Sequence, residues 1–372
     1  MRKLWIGISI IVVVALVIVL VVTQTKKEPE EVKIGAILPL TGDAAKYGQW
    51  IREGAELAKK EVNHDGGVKG HPLRIIYEDD QAMPSKATLA MRKLIGVDKV
   101  PIVFGSWASS AVLSQAPIAQ REKVVVLANA MSPKIREAGD YIFRITPDVR
   151  YSIDPLLRHV AERGYRKAAV LYINNDYGVD AAQVFQEKLE AAGGKVIFSE
   201  AYSPDQTDFR TVLSKINRSE ADCVFLPGYT EVGYILKQAL ELGIQTKFYA
   251  TMTFENPDIL KIAGNAAEGV IFPNYFDPKS TDPEMLTYQN AYRTEYGRES
   301  EGFAAEAYTA IKIIAHVMSK WGTDSESLRM GLNELSDFPS VFGPIKFDEM
   351  GDIVMPFKLR TIWGGKYVPL AY

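Results

Sequence analysis

The segment FGSWASSAVLSQAP, residues 104–117, carries the most legible chemistry in the chain. Gly105, Ser106, Trp107, Ala108, Ser109 and Ser110 separate an apolar run from a stretch of helical period. A strand-to-helix turn of this kind leaves backbone amides unpaired at the positive end of the helix, which suits an anion such as a carboxylate. Gly105 permits close approach of the backbone. Ser109 or Ser110 can donate to that anion or can cap its own helix, as serines at helix starts commonly do. The residues alone leave both readings open.

No second constellation stands out. His64, His71, His159 and His316 are scattered, read as surface residues, and have neither HExxH pairing nor ligand spacing, so a zinc site is not expected. There is no GxxxxGK[ST], no GxGxxG after a strand and no GxSxG elbow, nor a nucleophile or base visibly held by a third group. Asp79 and Asp80 end the run LRIIYEDD, where paired acids usually cap turns rather than hold a metal. Cys223, the single cysteine, lies in DCVFLPGY and reads as a small core residue, and one cysteine can form neither an intramolecular disulfide nor a thiolate metal cluster. No catalytic residue, metal or cofactor is expected. With 43 Lys+Arg against 46 Asp+Glu, the net charge of −3 is too balanced for a nucleic-acid footprint.

The elements that must position the turn follow a regular order. VKIGAIL, LRIIYED, VPIVFG, KVVVLANA, KAAVLYIN, GKVIFSEAY, DCVFLPG and KFYATM read as strands covered on both faces. Helical segments lie between them; from Ala44 to Asn63, residues Ile51, Ala55, Ala58 and Val62 form one apolar stripe that NHDGG terminates. Alternation of this kind implies α/β architecture with parallel sheets and right-handed crossovers. The order also recurs: KAAVLYINNDYGVD repeats the pattern of VKIGAILPLTGDAAKYGQ, and both lead into helices that begin beside a Tyr-Gly pair. Two similar lobes are expected in the 372 residues, with ligand beyond the carboxyl ends of the strands.

The first thirty residues are separate. Leu4 to Val22 are apolar but for Ser9 and uncharged, and a helix of that length spans roughly 28 Å, close to a bilayer core. Arg2 and Lys3 precede it, which favours a cytoplasmic N-terminus and places the rest outside the cytoplasm. The run exceeds a usual signal-peptide core and Thr23-Gln24-Thr25 is a poor cleavage site, so residues 1–25 read as an uncleaved anchor, with a cleaved signal as the alternative. Residues 26–31 read as a linker.

VKIGAILPLTGDAAKYGQWIREGAELAKKEVNHDGGVKGHPLRIIYEDDQAMPSKA resembles the opening of the leucine/isoleucine/valine-binding family of type I periplasmic solute-binding proteins, and DYGVD, GYTEVG and IAGNAAEGV continue the likeness through residues 32–372. The resemblance implies two doubly wound, Rossmann-like lobes joined by a three-segment hinge. Lobe 1 would take residues 32–148 and about 277–345, and lobe 2 residues 149–276 and about 346–372. It implies a ligand carboxylate on Ser109 and Ser110, walls from Tyr47, Tyr177 and Tyr229, Trp107 lining or shielding the pocket, and Ala130 beside Met131. Amino-acid members hold the ligand ammonium with a hydroxyl residue where this chain has Met131 and an acidic residue at or near Met252; Glu255 is the nearest substitute. Burying an ammonium without acceptors costs several kcal/mol.

The expected function is therefore capture of a small apolar or aromatic carboxylate, or a branched-chain amino-acid-like ligand, for an ABC importer. The partner is a membrane permease, the protein a monomer or weak dimer outside the cytoplasm. A tethered extracellular sensor acting through a partner is the alternative, and an enzyme of unfamiliar type the remote one.

Overall fold

In a computed structural model of the chain, described over residues 30–353 and 355–370, VPIVFG, KVVVLANA and DCVFLPG become strands buried on both faces, whereas LRIIYED and GKVIFSEAY lie at sheet edges and stay partly open. Strands β1 (Val32–Leu38), β2 (Leu73–Asp79), β3 (Ile102–Gly105), β4 (Val125–Ala128) and β5 (Ile142–Arg144) form a parallel sheet ordered β2-β1-β3-β4-β5. Helices α1 (Ala45–His64), α2 (Pro84–Lys93) and α3 (Ser109–Glu122) connect its first four strands.

The second sheet repeats that order. Helix α4 (Val149–Glu162) leads into β6 (Lys167–Ile173), followed by α5 (Asp176–Ala191), β7 (Lys195–Tyr202), α6 (Arg210–Arg218), β8 (Cys223–Leu226), α7 (Val232–Glu241), β9 (Lys247–Ala250), α8 (Pro257–Ala263) and β10 (Ile271–Asn274). The order β7-β6-β8-β9-β10 matches that of the first sheet strand for strand. Two antiparallel strands, β11 (Lys358–Trp363) and β12 (Lys366–Pro369), extend the edge beyond β10.

Helices α9 (Pro283–Tyr296), α10 (Gly302–Lys320) and α11 (Ser325–Asn333) return to the first sheet, with α10 packed along α1. Their crossing is close: a Cβ on Gly54 would lie 1.9 Å from the Ala304 carbonyl oxygen. The chain thus passes between the two layered bodies after β5, after β10 and before β11. Arg144, at the end of β5, is 1 % exposed and bonds Asp352 at 2.6 and 2.9 Å and Asp148 at 3.1 Å, tying two of these passages together.

Both sheets reverse strand order beside their first strand, between β1 and β3 and between β6 and β8, and the crevice outside such a point is where open α/β sheets bind ligands. Each first helix is lowered onto its strand by glycine. A Cβ at Gly48 would fall 2.0 Å from the Pro39 carbonyl oxygen, and one at Gly178 2.0 Å from that of Ile173. The preceding tyrosines, Tyr47 and Tyr177, are thereby held at the crevice. The apolar segment 4–22 lies outside the described residues; among those described, no helix is long and apolar enough to cross a membrane.

Candidate functional site

Gly105 ends β3 with a φ of +97°, and a Cβ there would lie 2.2 Å from the Ile37 carbonyl oxygen, so the turn requires glycine. Helix α3 starts at Ser109 with Ala108 as its N-cap, and no side chain caps it. Neither Ser109 nor Ser110 fills that role, which removes capping as their explanation. The first intrahelical bond runs from the Val112 amide to the Ala108 carbonyl at 3.0 Å, leaving the amides of Ser109, Ser110 and Ala111 at the positive end of the helix. Ser109 Oγ accepts from the Ser132 amide at 3.2 Å, so its own proton is free to donate. Ser106 is engaged elsewhere, donating to Asp80 at 2.5 Å and accepting from Gln115 at 2.7 Å.

Ser109 lines a cavity of about 20 Å³ with Trp107, Asn129, Ala130, Met131, Thr146, Tyr177, Tyr229, Thr253 and Phe303, room for about one water molecule. All except Phe303 follow the carboxyl end of a strand. Trp107 and Tyr229 also line an outer cleft of about 860 Å³. Their rings, 4.6 Å apart, form the wall between the two spaces. Tyr47 stacks on Trp107 at 4.3 Å and Tyr177 on Tyr229 at 5.5 Å, so the wall is a four-ring cluster with two rings from each body. Trp107 therefore both lines the inner cavity and shields it.

The remaining candidates sit around this core. Tyr47 and Ser110 line the outer cleft, and the Tyr47 hydroxyl donates to the Thr253 carbonyl at 2.9 Å, bridging the bodies. Met252 is 1 % exposed and packs in the core; its neighbour Thr253 meets the cavity. Ser132, one residue past Met131, donates its hydroxyl to Asp180.

Among the described residues, no ionised side chain lines the inner cavity. Glu255 is occupied by Arg360 and Asn274, which bond its two oxygens. Behind the cavity, Glu306 is fully buried; Oε2 accepts from Asn129 Nδ2 at 2.6 Å and Thr146 Oγ1 at 3.1 Å, and Oε1 pairs with the Tyr275 hydroxyl. Burial pushes the Glu306 carboxyl up to about 8 against these three donors. Burial likewise pushes the Tyr177 phenol up to about 12, so it stays a neutral donor. Its hydroxyl lies near those of Thr251 and Thr253 but makes no hydrogen bond of ordinary geometry.

Asn129, Thr146, Thr253, Phe303 and Glu306 escaped the sequence reading. Glu306 left a signal, a lone acid inside the apolar helical stretch GFAAEAYTAIKII. The groups set aside earlier are structural. Asp79 accepts from the amides of Leu40, Thr41 and Gln81, and Asp80 from that of Ala82. Cys223 is buried in β8. His159 departs from the surface reading: it is 3 % exposed and pairs through Nδ1 with the Tyr249 hydroxyl at 2.7 Å.

Two doubly wound bodies with an uncapped helix terminus and facing aromatics across the crevice define a two-lobed solute-binding protein. The chain belongs to the periplasmic binding protein family, which it matches over residues 31–363. It is 30% identical over 331 residues to the leucine-, isoleucine-, valine-, threonine- and alanine-binding protein of Pseudomonas aeruginosa, covering 87% of each chain. Among solved structures it is similar to the branched-chain amino acid transporter substrate-binding protein of Streptococcus pneumoniae in complex with isoleucine. That match has 26% identity and a TM-score of 0.84, and covers 91% of this chain and 98% of the other. It is similar too to an ABC transporter solute-binding protein of Rhodopseudomonas palustris in complex with 3,4-dihydroxybenzoic acid, at 26% identity and a TM-score of 0.81, covering 91% and 96%.

Proposed function

We propose that this protein is the extracytoplasmic capture component of an ABC importer, and that it holds a small carboxylate with an apolar or aromatic body. It acts stoichiometrically, without turnover, as a monomer or weak dimer tethered by residues 4–22. The observation that carries the reading is the head of α3: Ser109, whose hydroxyl proton is free and whose amide is one of three unpaired there, lines a cavity whose other walls are mostly apolar or aromatic. The carboxylate sits on Ser109 and these amides, with the Tyr177 hydroxyl as a further donor, while Trp107, Met131, Tyr229 and Phe303 enclose the body. Isoleucine and dihydroxybenzoate, bound by the two structural relatives, share a carboxylate and a compact apolar frame.

One lobe comprises residues 32–148 and about 277–345, the other 149–276 and about 346–372. Because the inner cavity is so small, entry requires the Trp107–Tyr229 wall to part. Solute contacts from both lobes then favour the closed form, which a permease recognises. Non-amino acids are preferred, because Glu255 is already paired and a buried ammonium would lack a charged partner. Branched-chain amino acids are the second reading, favoured by the Pseudomonas relative. Calorimetry of the full chain decides between them. Benzoate and 4-methylpentanoate should bind at micromolar level while leucine and isoleucine bind roughly a thousandfold more weakly, the factor that several kcal/mol implies. Micromolar leucine with silent monocarboxylates overturns the preference.

A further inference from the structure

Among the described residues, five buried side-chain polar atoms lack a hydrogen-bond partner, and two of them, Asn129 Oδ1 and the Tyr177 hydroxyl, belong to residues lining the same small cavity. Buried polar groups are otherwise almost always paired, so such a coincidence calls for a reason. Tyr177 can donate to the carboxylate already described. Asn129 Oδ1 cannot, because it is an acceptor and a carboxylate offers it nothing.

The orientation of the Asn129 amide is fixed from behind. Its nitrogen faces Glu306 Oε2 at 2.6 Å, and the reverse orientation would set two acceptor oxygens against each other. Thr146 donates to the same Oε2, and Tyr275 pairs with Oε1. A neutral Glu306 can place its proton on Oε1 toward Tyr275 while Oε2 still accepts from Asn129, so the arrangement does not depend on charge. Asn129 is 1 % exposed and Glu306 fully buried, so water does not compete for either.

We infer that Asn129 is a specificity residue that accepts a hydrogen bond from a hydroxyl or N–H on the ligand, with Glu306 as the residue that positions it. The ligand class narrows from small apolar carboxylates to those that carry a second polar group, a donor, on the apolar frame. This inference rests on the carboxylate reading of the cavity.

The test is calorimetry of the full chain with two matched probe series. One is benzoate, 3-hydroxybenzoate and 4-hydroxybenzoate; the other is 4-methylpentanoate, its 2-hydroxy derivative and leucine. At least one donor-bearing member should bind roughly tenfold or more tightly than its unsubstituted parent, the price of leaving a buried acceptor unpaired. Asn129→Leu, of similar size, should abolish that ratio while the parent acid still binds. Glu306→Gln, which can still accept from Asn129, should keep the ratio; Glu306→Leu should lose it. A ratio near one in the natural protein, or one that survives Asn129→Leu, overturns the inference while leaving the carboxylate reading intact. Should Asn129→Leu fail to fold, the ratio in the natural protein decides alone. Leucine as the tightest probe, with its advantage lost in Asn129→Leu, supports the acceptor role and overturns the preference for non-amino acids. Binding of neither series overturns the carboxylate reading and this inference with it.

Discussion

Ser109 combines two jobs in one hydroxyl: its oxygen accepts from the Ser132 amide, which leaves its proton free in a side chain that lines the cavity. Ser109→Ala should therefore weaken carboxylate binding by about 1–3 kcal/mol, measured by calorimetry, with a much smaller fall in the thermal midpoint because the serine does not cap α3. Met252 illustrates where sequence reasoning stops. A one-residue offset at a loop decides whether a side chain faces ligand or core, and no periodicity fixes it there. Met252→Glu should place a carboxylate in the core and lower stability by several kcal/mol, whereas the same charge at Thr253 would enter the cavity. The place of Ser109, Trp107 and the tyrosines at the crevice was legible because a strand end followed by a helix start constrains them locally. Asn129 and Thr146 were not, because their role comes from Glu306, which lies far along the chain and joins them only through the return of α10 to the first sheet.

The two Tyr-Gly pairs act at the scale of the strand-helix unit. Each glycine lets a helix start against a carbonyl at or just past the end of its strand, and each tyrosine is fixed by that contact. Gly178→Ala would force a Cβ to within 2.0 Å of the Ile173 oxygen. The expected outcome is a loss of about 1–3 kcal/mol in denaturant unfolding, with solute affinity falling as well because Tyr177 moves with α5. Strand β1 coincides with the run VKIGAIL, since burial along most of its length writes a nearly continuous apolar signature, while the edge strand β2 coincides with LRIIYED although its second half is only partly covered. Strand β5 has only three residues, too few to write such a signature, and β10, IFPN, breaks its apolar run after two residues with Pro273 and Asn274. The hairpin β11–β12 buries only Leu359 and Ile362 at a sheet edge, and its pairing with β10 is set by chain return rather than by local pattern.

Across the whole molecule, one buried and two half-buried carboxyls set an unusual pH response. Burial pushes Glu231 up to about 7 and Glu301 and Glu306 up to about 8, from an ordinary 4.5. Between 4.5 and 8 the folded chain holds protons that the unfolded chain releases, so stability falls as pH rises through that window and levels off above it. Asp148 works in the opposite sense at lower pH: burial raises its carboxyl, Arg150 and Arg144 outweigh it, and the stability so gained is lost as pH falls through its depressed pKa. Thermal melts should peak near the lower end of the window and decline toward its upper end. Arg144→Met would leave Asp148 and Asp352 facing each other without their shared cation and should cost about 3–5 kcal/mol in denaturant unfolding. One further property follows from Cys223, the single cysteine, buried in β8 with a thiol that burial pushes up to about 12. It stays protonated and out of reach of maleimides. Thiols introduced at the exposed rim positions Asp43 and Asp205 would then be the ones to take a pair of fluorophores, giving a molecular ruler across the mouth that can be read one molecule at a time.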